Sequence, residues 1–323
     1  MHSKAVRRWS VGTAVAMLAT LLALPGQVAR AAAAESGAPL SEGQKALAAA
    51  KKSGRRVEVT GQRTEHTTVF ANPDGYTFTL EQSVMPVRVA APGGGWQAPD
   101  ATLVKRADGT VVPKAAATKM EFSGGGTNEP LVRISDGGRS LELEWPGTLP
   151  TPKRDGTSAL YPEVLSGVDL KLTATPESFQ QVLVVKTPEA AAREELKKLT
   201  FGLETEGLWV QEGAAGNLAA LDENGRAVFK SPPARMWDSA GVAGTEPQLK
   251  ASTVVGSGEV EPSDPAESAP SGSGLEPGQG DRVVRMDVDV DKDSLSVIPD
   301  AEMLSQTDAS AFPVFIDPPG DLG

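Results

Sequence analysis

The sequence predicts a mainly β protein: antiparallel, sandwich-like sheets with one or two short helices and a long disordered acidic loop. Short runs alternate apolar and polar residues, and turn pairs such as Asp108-Gly109 and Asn224-Gly225 punctuate them. Glycine and proline supply 34 and 25 of the 323 residues, which interrupts helices and suits turns. The clearest run is Val168 to Thr175, where Val168, Leu170, Leu172 and Ala174 alternate with Asp169, Lys171, Thr173 and Thr175. Successive strand side chains point to opposite faces, so this strand has one buried and one wet face. Pro176 and Ser178 mark a turn. Phe179 to Lys186 follows as a second strand, and its apolar Val182 to Val185 core places it nearer the middle of a sheet.

Taken in order, residues 32–55 hold a short helix with Ser41 as a cap, Gly54 as a stop and a thin apolar face. Strand signals begin at Arg56 with Val57 and Val59, then Arg63 to Phe70. The turn Asn72-Pro73-Asp74-Gly75 leads into a run in which Tyr76, Phe78 and Leu80 alternate with Thr77 and Thr79, a hairpin signal. Met85 to Val89, Ala101 to Arg106, Thr110 to Pro113 and Lys119 to Phe122 continue the series between glycine-rich turns. Leu131 to Ser135 and Ser140 to Trp145 form a hairpin across Asp136-Gly137-Gly138. Thr187 caps a helix with Pro188 at its first position, predicted to run to about Leu199. Strands at Leu199 to Thr205 and Leu208 to Glu212 precede a hairpin turning at Asn224-Gly225, a pair suited to positive backbone angles.

Residues 56–238 therefore read as the sandwich-like region, and 239–281 as a disordered acidic linker or loop. From Ala240 to Gly280 there is no aromatic residue, and Lys250 is the sole basic one. Such a segment buries too little apolar surface to offset its ordering entropy. Residues 282–323 return to β structure, with two short runs after Arg282, a helical turn at Ala301 to Leu304, a strand in Phe312 to Pro318 and a frayed end. Because strands resume, the acidic segment fits an insertion in one sheet.

Residues 1–31 have the order of a secretory signal peptide: basic Lys4, Arg7 and Arg8, an apolar stretch from Val11 to Leu24, and a small-x-small site at Ala29-Arg30-Ala31. The expected product is secreted and has no membrane span after cleavage. Without those residues, 27 basic side chains face 42 acidic ones, a balance that repels nucleic acid. Cysteine is absent, so stability rests on a packed core rather than on disulfides or thiolate metal sites.

No residue set assembles into a catalytic, cofactor-binding or metal site. His66 is the one histidine left after the signal, and with Thr64 and Thr68 it is expected on a solvent face. Asp169, Lys171 and Glu177 read as solvated charges. Asp287, Asp289, Asp291, Asp293 and Asp300 roughly follow calcium-loop spacing from Asp289, but Ser294 stands where that loop needs glycine, and a strand with Val288 and Val290 inward is preferred. Glu142 and Glu144 share one strand face, whereas glycosidase carboxylates face each other across a sugar. Trp96, Trp145, Trp209 and Trp237 can stack on sugars only where exposed.

The run from Tyr161 to Lys186 resembles the amino-terminal region of large secreted bacterial proteins that carry laminin-G-like, DNRLRE-type or RHS-repeat modules. Arg55 to Gly75, Gly93 to Ala115, the turn at Phe122 to Gly126, Ser140 to Pro150, Ala234 to Ser239 and Phe312 to Pro318 fit the same pattern. The resemblance implies a non-catalytic scaffold or interaction module, without catalytic residues to carry over. It also implies a truncated or standalone version, since relatives continue into further modules. Implied partners are downstream modules or cell-wall glycans, and a carbohydrate or cell-wall binding module is the alternative.

Overall fold

A computed structural model describes residues 39–127, 129–213, 216–241 and 276–319. The expected signal peptide, residues 242–275 of the acidic segment and the frayed end at 320–323 lie outside the described residues. The described residues from Glu42 onward belong to one compact unit. Helix α1 (Glu42–Ser53) precedes β1 (Val57–Glu58), β2 (Thr67–Ala71) and β3 (Phe78–Gln82), which form a three-stranded sheet in that order. A small ladder of β4 (Val89–Ala90) and β5 (Trp96–Gln97) leads to β6 (Asp100–Lys105), β7 (Val111–Ala115), β8 (Lys119–Phe122), β9 (Val132–Asp136) and β10 (Arg139–Glu144). Next come β11 (Lys153–Asp155), β12 (Ser158–Leu165), β13 (Val168–Ala174), β14 (Phe179–Val185) and the short helix α2 (Pro188–Ala191). Strands β15 (Leu199–Glu206), β16 (Trp209–Glu212), β17 (Leu218–Leu221), β18 (Ala227–Lys230) and β19 (Arg235–Trp237) follow. After the acidic segment come β20 (Val283–Arg285), β21 (Asp287–Val290), β22 (Ser294–Ile298), α3 (Ala301–Gln306) and β23 (Val314–Asp317).

Two large antiparallel sheets carry the core. One runs β21-β22-β15-β10-β9-β8-β7-β6, the other β11-β12-β13-β14-β23-β19-β20. In the seven-stranded sheet β14 is central, paired with β13 along its whole length and with β23 at Leu183 to Val185, as its apolar content predicts. Directly opposed residues share a face, so Tyr161, Leu170, Leu183, Ile316, Met236 and Val284 make one continuous inward row across β12, β13, β14, β23, β19 and β20. In the other sheet Phe122, Val132, Leu143 and Leu203 form the matching row across β8, β9, β10 and β15. The two faces meet in one hydrophobic cluster. Phe122 and Phe179 touch edge to face at 5.9 Å, and the Tyr161 hydroxyl donates to the Ser123 carbonyl at 2.7 Å. Burial raises the Tyr161 phenol well above its ordinary pKa, so it remains a donor.

Local chemistry explains the element ends. Gly54 stops α1 in a left-handed conformation, as expected. The two-residue turn between β9 and β10 places both Gly137 and Gly138 at positive φ, 56° and 81°, the geometry that matches the twist of a hairpin. At the other hairpin the expectation is half met: Gly225 alone turns to positive φ, inside a longer loop closed by the Asp222 N–H on the Arg226 carbonyl. Thr187 caps α2 by accepting from the Ala190 N–H at 3.3 Å, but α2 ends at Ala191 rather than near Leu199. A single 3₁₀ turn at Glu194–Leu196 buries Leu196, and Leu199 already pairs with Val297 in the eight-stranded sheet. Sheet pairing overrides the helix preference of the alanine- and glutamate-rich segment. β2 likewise starts at Thr67 rather than Arg63, because Thr64 turns the chain by accepting from the Thr67 N–H.

The acidic segment expected to be disordered from 239 to 281 is ordered at both ends. Gly241 and Gly278 N–H groups both donate to the Asp281 carboxylate, and Ala240 and Arg282 N–H groups donate to Asp238. These carboxylates hold the two ends together, while β19 and β20 pair directly. Residues 242–275 are thus an insertion within one hairpin of the seven-stranded sheet.

Two core predictions follow from burial. Gln181 is wholly buried on the inward face of β14, opposite Leu172, and neither of its amide atoms has a partner. An unmet buried amide costs about 1–3 kcal/mol, so Gln181→Met, which nearly conserves volume, raises stability by about 1 kcal/mol or more in urea unfolding. A loss of stability would show that the amide is satisfied. Asp222 is buried and accepts from the Arg226 and Asn224 N–H groups and from Arg139 Nη2. The Arg226 amide in particular holds its carboxyl below the usual range. Its contribution is therefore present at neutral pH and lost as pH falls below the unfolded value of about 3.9 through the lower folded one. The stability gap between wild type and Asp222→Asn should shrink between about pH 7 and pH 3; a gap that stays constant contradicts that linkage.

Candidate interaction surface

The site begins with a mismatch between pattern and cover. β2 and β3 pair with Val69 opposite Leu80 and Ala71 opposite Phe78, and β1 adds Val57 opposite Ala71. Those residues share one face of the small sheet. Helix α1 covers the β1–β2 part of it, burying Ala46, Ala50, Val59 and Ala71 with Leu47, Val57 and Val69 packed against them. The helix does not cover β3. Phe78 reaches its flank, so close that a Cβ at Gly43 would lie 3.3 Å from the ring. Leu80, beyond it, is 60% exposed, and Tyr76 is 78% exposed. The chain continues into Val84, Met85 and Val87, all exposed, with Val84 at 92%. Six large apolar side chains within twelve residues of β3 and its flanks thus lie open, an arrangement that marks interaction surfaces.

β3 is also an edge strand. The Asn72 N–H bonds to the Thr77 carbonyl and the Ser83 N–H to the His66 carbonyl. Antiparallel pairs alternate, so Thr79 and Glu81 turn their backbone groups toward β2, and Phe78, Leu80 and Gln82 turn theirs outward. Charge around the strand is set by its neighbours. From Glu42 to Ala90 there are seven Lys and Arg side chains against five Asp and Glu, in a chain with a net charge of −11. The acids are largely engaged: Glu42 by Thr60 and the Gly61 N–H, Glu58 by Arg63, Asp74 by Thr77, and Glu81 by Arg56. Hydrogen bonds from Thr60, Arg63 and Thr77 respectively hold the Glu42, Glu58 and Asp74 carboxyls below their usual range. Lys51 lies over the Tyr76 ring at 5.5 Å. Among the described residues, Lys51, Lys52 and Arg55 form no ion pair with a carboxylate.

The residues singled out in the sequence do not come together. His66 is not on a plain solvent face: its Nε2 lies 3.1 Å from Glu177 of the β13–β14 turn, and neighbouring Thr68 is buried under Arg88. Asp169 and Glu163 both bond Lys186 at 2.6 Å, which locks the end of β12 and β13 where Glu163 takes a φ of 53°. The Asp169 bond, then the Glu163 bond, raises the Lys186 pKa. Asp287 and Asp289 stand exposed on β21 with Val288 buried between them, the strand geometry. Asp289 pairs with Lys198 and Asp300 caps α3, accepting from the Met303 N–H. No group of three or more potential metal-binding side chains occurs among the described residues. Glu142 and Glu144 sit side by side on β10, with Glu142 opposite Glu204 and bonded to Arg133 at 3.1 Å. Burial raises the Glu142 pKa, and its carboxylate neighbours Glu144 and Glu204 lie on the same sheet rather than across a cleft. Trp145 and Trp237 are buried; Trp96, 39% exposed on β5, and Trp209, 44% exposed on β16, lie on separate small sheets.

Among the described residues no helix is long and apolar enough to cross a membrane. Comparison with protein-family models, with curated proteins and with solved structures finds no match to this chain.

Because Phe78 and Leu80 are open on their outer side, the Phe78→Ser, Leu80→Ser pair should leave the two-sheet core intact, changing unfolding free energy by less than about 1 kcal/mol. The same pair should lower the fluorescence of a bound hydrophobic dye at least two-fold. Loss of the cooperative unfolding transition would instead place both side chains in the core.

Proposed function

We propose that this chain is a secreted, non-catalytic β-rich module that works by binding, as part of a scaffold at the cell surface or in the medium. The observation that carries this reading is the uncovered apolar row of β3 on an open sheet edge, beside cations that have no acidic partner among the described residues. Much of the conspicuous charge elsewhere is taken up in caps and ion pairs. Its partners are other protein modules, such as those that follow related amino-terminal regions. A second reading, binding of cell-wall carbohydrate, draws on the exposed Trp96 and Trp209, since an open indole face stacks on a sugar ring.

One experiment separates them. The chain from residue 32, immobilised, is offered extracellular protein and purified cell-wall glycan. Under the proposal, protein is retained and the Phe78→Ser, Leu80→Ser pair reduces retention at least ten-fold. Retention of glycan that is lost on Trp96→Ala or Trp209→Ala favours the second reading, and release of soluble sugar from the glycan overturns both.

A further inference from the structure

From the same surface, and resting on the reading of the chain as a binding module, we infer that β3 accepts an extended acidic peptide strand, added edge to edge to the three-stranded sheet. Three features select this occupant. The outward backbone groups of Phe78, Leu80 and Gln82 repeat at every second residue, which is the hydrogen-bonding pattern of an incoming strand. The side chains of those same residues face the side on which α1 lies, so an added strand places alternate apolar residues between Phe78 and Leu80 and the uncovered flank of α1. Finally, Lys51 lies at the Tyr76 end of β3, and Lys52 and Arg55 are its neighbours in sequence at the exposed end of α1. An acidic residue on the incoming strand at that end meets cations that, among the described residues, no carboxylate neutralises.

Charge also argues against a second copy as occupant. Pairing β3 with its symmetry mate would bring two net-basic surfaces together, with α1 beside α1. The edge itself lacks the usual protection of a strand that must stay single. It has no proline and one charged side chain, Glu81, which points to the opposite face and is bonded to Arg56.

The test uses the whole chain from residue 32 and three capped octapeptides of alternating valine and serine. One carries two glutamates at an end, one carries two lysines there, and one is the glutamate peptide N-methylated at alternate amides. The glutamate peptide should bind at least ten-fold tighter than the lysine peptide and shift the amide resonances of residues 76–82. N-methylation should abolish binding, and added salt should weaken it. Gln82→Pro removes an outward N–H without touching the ladder to β2 and should cost at least ten-fold; Leu80→Lys serves if the proline variant fails to fold. Equal binding of the glutamate and lysine peptides, or binding indifferent to both variants, overturns the inference. So does concentration-dependent dimerisation through β3, or attachment to phosphatidylglycerol vesicles that is lost on Val84→Ser and Met85→Ser while no peptide binds. If the peptides fail but the Phe78→Ser, Leu80→Ser pair still abolishes protein retention, the strand is wrong and the binding module stands; if neither assay responds, both fall.

Discussion

The structure depends on β14 finding β23. Leu183, Val184 and Val185 pair with Ile316, Phe315 and Val314, and only then does the inward row from Tyr161 to Val284 become continuous. The partners are more than 120 residues apart in sequence, so this contact is entropically expensive to form and brings the late strands home together. Strands from the last described segment complete both layers: β20 and β23 in one sheet, β21 and β22 in the other. With no cysteine to staple the chain, that shared core is what holds the two layers.

This closure decides where function can reside. The core sheets use their inward faces for packing. Much of the charge on their outer faces is matched across strands, as between Glu121 and Arg106, Arg133 and Glu142, or Lys186 and Asp169. Such pairs contribute little individually and offer an incoming ligand few free groups. The small sheet at the start of the compact unit is different. Its helix is short and alanine-rich, spans β1 and β2, and leaves β3 with neither a helix on its apolar flank nor a strand on its edge. The same feature that would be a liability on a solitary protein is a ready docking strand on a modular one.

Much of the frame was legible in the residues themselves. The alternation from Val168 to Ala174 appears in the burial of β13 residue by residue, and the doubly apolar run after it became the central strand. The aspartates around Val288 could be assigned to a strand because valine alternates with them. What escaped was set by tertiary partners. The segment after Thr187 has strong helix formers, yet Leu199 belongs to a sheet whose partner, Val297, is nearly 100 residues away. The uncovered surface was only half legible: the alternation of Tyr76, Phe78 and Leu80 identifies an apolar strand face, but not that α1 stops short of covering it. Burial is a property of the neighbours, and the strand's own sequence does not name them. His66 shows the same limit, since its partner Glu177 lies on a distant turn.

Hydrogen exchange resolved at single amides tests the openness of β3 most directly. With the edge free, Thr79 and Glu81, bonded to β2, exchange slowly, while Phe78, Leu80 and Gln82 exchange near the rate of unstructured chain and Leu183 and Ile316 are the slowest of all. Uniform protection from Phe78 to Gln82 would mean that the edge is already covered, and would remove the physical basis for a docking strand.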